Sequence, residues 1–152
     1  QRKIPEVKDV VVTPNMTDIV QLTVDGADKP HPEFGKFVLH AVWGAQGRWG
    51  RVAKFVIVVG PDVDPYDLNS VDWALQTRVQ PWSDSIINRS AQAMILDPSA
   101  PKGPHGFGVK SEQMGIDATI KVPERFDDYA EVSQADPADV AAIAEKLSGV
   151  LG

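Results

Sequence analysis

The hydrophobic positions fall first into short β-branched and alternating runs. Val7 to Thr13 is β-branched and bounded by Pro5 and Pro14, and Asp18 to Val24 alternates Ile19, Gln21 and Thr23 with Val20, Leu22 and Val24 before Asp25-Gly26. Both stretches read as strands. Phe34, Phe37, Val38, Ala41 and Val42 then recur at helical spacing, with Gly44 and Gly47 where the helix must stop. Ala53 to Val59 is continuous and apolar, as expected of a strand covered on both faces, and Gly60-Pro61 ends it. Leu68, Val71, Ala74 and Leu75 form one face of a second helix, with Asn69 or Ser70 as its cap and Pro81 as its stop.

Ile86-Ile87 suggests a short strand, and Gly115 to Val122 a return to the sheet. Residues 97–108 hold three prolines and three glycines and read as loop. Asp136-Pro137 has the form of an N-cap and first helical residue, followed by an apolar stripe of Val140, Ile143, Ala144, Leu147 and Leu151. Strands alternating with helices predict an α/β fold: a small layered domain with a mixed sheet flanked by helices and a C-terminal helical tail.

Composition narrows the chemistry. The 152 residues suit one domain with a real core, and 15 Lys and Arg against 21 Asp and Glu give a net charge of −6. That acidity argues against non-specific binding of nucleic acid or anionic membrane. Six acids and two bases between Lys121 and Asp139 supply −4 of the charge. The absence of cysteine excludes disulfides, zinc ribbons, Fe–S ligation and thiolate catalysis in this chain. The longest apolar run, Phe55 to Val59, is far short of a membrane span, and no basic-then-apolar signal opens the chain, so a cytoplasmic protein is expected. Because the first residue is Gln1 and not Met, sequence upstream of it is expected.

No GxSxG elbow, phosphate-binding P-loop or HExxH helix is present, and His31, His40 and His105 lack ligand spacing. Asp62, Asp64 and Asp67 follow the strongest strand, at the end where open α/β sheets bind ligands. They suit a metal or ribose contact, or simply turns and a helix cap. Residues 44–51 (GAQGRWGR) combine three glycines with Arg48 and Arg51, and Lys54 follows without an intervening acid. A cofactor phosphate contact and a solvated connection are both open readings there. His105 sits in a segment that could be a lid carrying an acid or base, or a plain surface loop. Met94, Ile95 and Leu96 are either core or the wall of an apolar pocket.

Three stretches together resemble one family. Phe55 to Pro81 (FVIVVGPDVDPYDLNSVDWALQTRVQP) is similar to the strand–DxDxxxxxxVxWAxxTRxxP–helix segment of UbiD-type carboxy-lyases. LDPSAP at Leu96 to Pro101 and MGIDAT at Met114 to Thr119 resemble the family's later landmarks, in the same order. The three are specific only in combination, and the resemblance covers the last two-thirds of the chain most fully.

The resemblance implies a role as C-terminal domain or separate subunit of a non-oxidative decarboxylase or carboxylase. Such enzymes act on aromatic or α,β-unsaturated carboxylic acids. It implies prenylated FMN, a divalent Mn or Mg ion and K+ in the full assembly, bound mostly by parts outside this chain. The family's catalytic Glu–Arg–Glu network and metal ligands lie in its central part, so no catalytic or metal-ligating residue is assigned here. Arg48, with Arg51 as fallback, is implied as a flavin-phosphate contact. Leu96, with Ile95 and Met94, is implied as the substrate-pocket wall. Residues 1–122 are then the α/β domain, and residues 123–152 an acidic linker and helix that could reach a second subunit or fold back. The partners implied are a UbiD-like N-terminal and central part, further copies of the chain, and a small aromatic or unsaturated acid. Ile120-Lys121-Val122-Pro123 departs from the Lys-Trp pair common after that last landmark, which leaves the subgroup and its substrate open. Two other readings stand beside this one: an assembly module without activity, and a free-standing phosphate-binding α/β protein.

Overall fold

A computed structural model describes residues 4–46, 53–91, 97–106, 108, 110–121 and 136–148. Five strands form one mixed sheet in the order β1-β2-β3-β5-β4: β1 (Val7–Val12), β2 (Asp18–Leu22), β3 (Phe55–Val59), β4 (Ser85–Ala91) and β5 (Ser111–Ala118). The central three, β2, β3 and β5, run parallel, and the edge strands β1 and β4 run antiparallel to their neighbours. The described residues also form helices α1 (Phe34–Gln46), α2 (Leu68–Arg78), α3 (Pro81–Asp84) and α4 (Pro137–Ser148), and a 3-10 turn at Gly26–Asp28.

Period-two alternation explains how β2 can be buried throughout. Val20 and Leu22 point to one face and pack with Phe34, Val38, Leu39 and Trp43 of α1 and with Val56 and Val58 of β3. Ile19 points to the other, with Val59, Val63, Ala118 and the α2 residues Val71 and Ala74. Each of these larger aliphatic side chains contributes roughly 1.5–3 kcal/mol by leaving water. Gly115 lets α1 lie close on β5, because a Cβ there would meet Leu39 Cδ1 at 2.8 Å and the Trp43 ring at 2.9 Å.

Several boundaries differ from expectation for local reasons. The N-cap of α2 is Asp67 and not Asn69 or Ser70: its carboxylate accepts from Asn69 N at 3.0 Å. Helix α2 stops at Arg78, ahead of Pro81 as expected, and Pro81 also opens the short α3. Strand β4 extends well beyond Ile86-Ile87 because it pairs with β5, which begins earlier than expected, at Ser111. Asp136 caps α4 as expected, accepting from Ala138 N at 2.8 Å.

The two faces of the sheet are not equally covered. Val71 and Ala74 of α2 cluster with Ile19, Val59 and Ala118 on one face, so β3 is covered there toward its end. Phe55, Met114 and Ile87 are registered neighbours across β3, β5 and β4; Phe55 is 47% and Ile87 53% exposed. None of the α4 residues is buried, and Val140, Ile143 and Leu147 are more than half exposed. No helix among the described residues is long and apolar enough to cross a membrane.

Candidate functional site

The C-terminal end of the parallel strands carries a dense charge network. Arg78, at the end of α2, donates through both terminal nitrogens to Asp62, at 3.1 and 2.5 Å. The same guanidinium stands 3.8 Å from Asp25 Oδ2 and 4.9 Å from the Trp73 ring centroid. Arg78 holds the Asp62 carboxyl below the usual carboxylate range. Asp25 is pushed the other way, to about 6, chiefly because burial disfavours its charged form. Its Oδ2 has no hydrogen-bond partner and presses on Gly60, where a Cβ would meet it at 1.9 Å. Beside this group Lys29 donates to Thr119 Oγ1 at 2.9 Å, and Thr119 Oγ1 donates to Asp117 Oδ1 at 2.6 Å. Lys121 stands 3.7 Å from both Asp84 and Asp117.

Apart from Asp25 Oδ2 these groups pair with one another, so their first role is to hold the fold. Asp64 accepts from Tyr66 N at 2.9 Å in a turn and Asp67 caps α2, which bears out the turn-and-cap reading for both. An open groove of about 420 Å3 beside β1 is lined by Lys8, Asp9, Gln21, Asp62, Asp64 and Tyr66. Three carboxylates against one lysine make it a poor seat for a phosphate or a carboxylic acid. Among the described residues, no three His, Cys, Asp or Glu side chains converge as metal ligands.

The described neighbours of the residues singled out from the sequence lie at the opposite end. Residues 47–52 and 92–96, which include Arg48, Arg51, Met94, Ile95 and Leu96, lie outside the described residues. The described chain on either side of both segments meets at the N-terminal ends of the parallel strands. Gln46, the last residue of α1, accepts from Ala53 N at 2.8 Å through Oε1 and donates through Nε2 to Asp18. Gln113 Nε2 donates to Ala53 O at 3.3 Å, and Met114 N donates to Lys54 O at 2.8 Å. The other segment leaves β4 at Ala91, paired with Ser111, and returns at Asp97. Ser111 Oγ donates to Asp97 Oδ2 at 3.3 Å, and Lys54 Nζ stands 3.2 Å from the same oxygen.

Asp97 also closes a local turn. Its Oδ1 accepts from Ser99 N at 2.9 Å and Ser99 Oγ at 2.7 Å, an arrangement that Asp-Pro-Ser favours. Lys54 Nζ also donates to Ser99 Oγ, and Lys102 Nζ donates to Asp97 O at 2.5 Å. The hydroxyl and amide of Ser99, then Lys54, hold the Asp97 carboxyl down at about 2. His105 is exposed in a turn between the bridged residues Lys102 and Gly108, as the surface-loop reading expects. His40 is exposed and meets the Trp43 ring edge-on at 5.9 Å.

Sequence reasoning singled out Lys54 but missed Gln46, Asp97, Ser99, Ser111 and Gln113 as site-end residues. Asp-Pro-Ser was a local signal for the turn. No local signal ties Asp97 to Lys54, 43 positions earlier.

Known proteins share this architecture. Residues 1–118 match the 3-octaprenyl-4-hydroxybenzoate carboxy-lyase C-terminal domain family. The fold is similar to vanillic acid decarboxylase of Sedimentibacter hydroxybenzoicus in closed form, with 30% identity and a TM-score of 0.74 over 97% of this chain and 29% of that one. It is also similar to the UbiD-class enzyme HmfF of Pelotomaculum thermopropionicum in complex with FMN, with 28% identity and a TM-score of 0.67 over 90% of this chain and 28% of that one. A third likeness is to 3,4-dihydroxybenzoic acid decarboxylase of Klebsiella pneumoniae, with 25% identity and a TM-score of 0.53 over 91% and 29% of the two chains. The chain thus spans less than a third of the length of these proteins.

Proposed function

The chain belongs to the UbiD carboxy-lyase C-terminal domain family, and on that premise we propose that it is the C-terminal part of an enzyme that removes or adds CO2 on aromatic or α,β-unsaturated acids. The observation that carries this reading is the convergence of the chain flanking residues 47–52 and 92–96 at one end of the sheet, through Gln46, Ala53, Lys54 and Asp97. In this reading Arg48, or Arg51, contacts the flavin phosphate; an arginine fork suits that anion. Leu96, with Ile95 and Met94, forms an apolar wall that excludes water and orients the acid. Lys54 and Lys102 bring cations to this end, but both are engaged at Asp97, which leaves the phosphate contact to the arginines.

Prenylated FMN supplies the electron sink for loss of CO2 when bound. Its Mn or Mg ion and K+ are assigned to the flavin-binding part of the enzyme, together with the catalytic acid and base. The chain's own contribution is to position and to enclose. The relative HmfF holds FMN, which supports a flavin here. Residues 123–152 are proposed as a linker and dimer arm. The exposed stripe of α4 and the open Phe55–Met114–Ile87 row support a place in a larger assembly over a free-standing protein.

The test is to join the chain to the flavin-binding part of its enzyme in a strain that makes prenylated FMN, then assay a panel of aromatic acids beginning with vanillic and 3,4-dihydroxybenzoic acid. We expect flavin in the complex and CO2 release from at least one acid. Arg48→Ala should lower flavin occupancy, and Leu96→Ala should widen the range of acids accepted. A complex without flavin, inert toward the whole panel, would refute the reading.

A further inference from the structure

We propose that the Arg78 guanidinium is a two-position switch set by the charge on Asp25. With Asp25 neutral, it grips Asp62 through both terminal nitrogens. With Asp25 ionised, it bridges the two carboxylates and leaves one oxygen of Asp62 open to the groove beside β1. The switch stands apart from the functional reading above and needs no flavin.

The two positions lie within one small movement. Arg78 Nη1 is 3.1 Å from Asp62 Oδ1 and 3.8 Å from Asp25 Oδ2, so one nitrogen faces both carboxylates. A shift of under about 1 Å brings it within hydrogen-bond range of Asp25, while Nη2 keeps Asp62 Oδ2 at 2.5 Å. Asp25 Oδ1 accepts from Gly26 N at 3.0 Å, but Oδ2 is buried and accepts from nothing. A charged oxygen in that setting is costly unless a donor reaches it, and a guanidinium is a strong one. Gly60 leaves the space in which they meet, since a Cβ there would lie 1.9 Å from Oδ2.

The groups around Asp25 make Arg78 the moving part. Lys29 and Arg78 favour its charge, and Asp62 opposes it. Lys29 Nζ is held by Thr119 Oγ1 at 2.9 Å, and Thr119 is held in turn by Asp117. Lys121 stands behind them, between Asp84 and Asp117. Burial is the largest influence on Asp25 and sets its titration at about 6, so its charge changes near neutral pH.

The consequence falls on the connection between β3 and α2. Gln21 Nε2 ties it to β2 through the carbonyls of Val63 at 2.8 Å and Pro61 at 3.2 Å, and Tyr66 OH ties it to Asp9 at 2.8 Å. Pro61, Asp62, Asp64 and Tyr66 of this connection line the groove of about 420 Å3. The Asp62 side chain is 49% exposed against 10% for Asp25. A nitrogen that leaves Asp62 for Asp25 therefore moves bare negative charge from the interior to the groove.

The experiment uses the full chain, as wild type and as Asp25→Asn, in crystals at pH 5 and pH 8 and in NMR titrations of the carboxyl carbons and the Arg78 nitrogens. At pH 5 both nitrogens should rest on Asp62. At pH 8 Nη1 should lie within about 3.2 Å of Asp25 Oδ2, with Nη2 alone on Asp62. The Arg78 and Asp62 signals should follow the midpoint of Asp25, and should stay flat over this range in Asp25→Asn. An unchanged Arg78 at both pH values would overturn the switch, as would the same movement in Asp25→Asn. Should Asp25→Asn fail to fold, wild type alone decides: an Arg78 midpoint more than one pH unit from that of Asp25 overturns it.

Discussion

Asp25 and Asp97 stand at opposite ends of one sheet, and their surroundings shift them in opposite directions. Asp25 is raised to about 6 by burial, with Oδ2 unpartnered and Arg78 3.8 Å away. Asp97 is lowered to about 2 by Ser99 and Lys54. The first lies among groups that close the C-terminal end of the sheet; the second lies where the chain leaves for residues 92–96. Open α/β sheets often bind ligands at the C-terminal ends of their strands. Here that end carries the protein's own ion pairs of Arg78 and Lys121. Even the stretches that resemble the family divide this way. Asp62 and Arg78 of the strand–helix segment and Asp117 and Thr119 of MGIDAT build the C-terminal end, whereas LDPSAP supplies Asp97 and Ser99 to the opposite one.

The largest test of this division is Arg78→Met. Removing a buried guanidinium leaves Asp62 without its cation and Asp25 with Lys29 alone, and we expect a loss of roughly 3 kcal/mol in urea unfolding. A loss below about 1 kcal/mol would make the Arg78 network no more structural than an exposed ion pair. Gly60→Ala comes next. Its Cβ would meet Asp25 Oδ2 at 1.9 Å and Cγ at 2.8 Å, and overpacking of this kind costs about 1–3 kcal/mol. The same substitution in an Asp25→Ala background should cost much less, which a thermal-unfolding comparison would show.

The pH dependence sharpens the comparison further. A carboxyl raised to about 6 in the folded state favours folding in its protonated form. Its contribution is therefore fully present below the unfolded value, about 3.9, and is lost as pH rises through about 6. Wild type should lose up to about 2 kcal/mol relative to Asp25→Asn between pH 4 and pH 7; parallel profiles would put Asp25 in an ordinary aqueous setting. Asp97 has the opposite sign, its contribution being present above about 3.9 and lost as pH falls through about 2. The smallest effect on folding is expected for Leu147→Asp on the exposed face of α4, within about 0.5 kcal/mol. That variant should nevertheless lower the oligomeric mass in light scattering, and an unchanged mass with intact folding would remove the dimer-arm reading.

Most of the fold was legible because its signals are local. The alternation of Ile19 and Val20, the periodicity of Phe34 to Val42 and the Asp136-Pro137 cap each fix an element from within a few residues. Where the reading missed, a non-local partner had decided. Strand β4 runs to Ala91 because β5 pairs with it, and β5 starts at Ser111, a residue with no apolar signature. Asp67 took the cap expected of Asn69 or Ser70, since any of the three can offer the oxygen and only the chain's path from β3 selects one.

The candidate site divides along the same line. Arg48, Arg51 and Leu96 came from motif order and residue chemistry, which need no coordinates. That the two stretches holding them are anchored at one end of the sheet follows from the β1-β2-β3-β5-β4 order. That order brings Lys54 and Asp97 together across 43 residues. The sequence by itself determined the elements, the family and the kinds of side chain available. Only the tertiary structure decided which charges neutralise one another and which distant segments meet, because strand pairing between distant segments has no local cause.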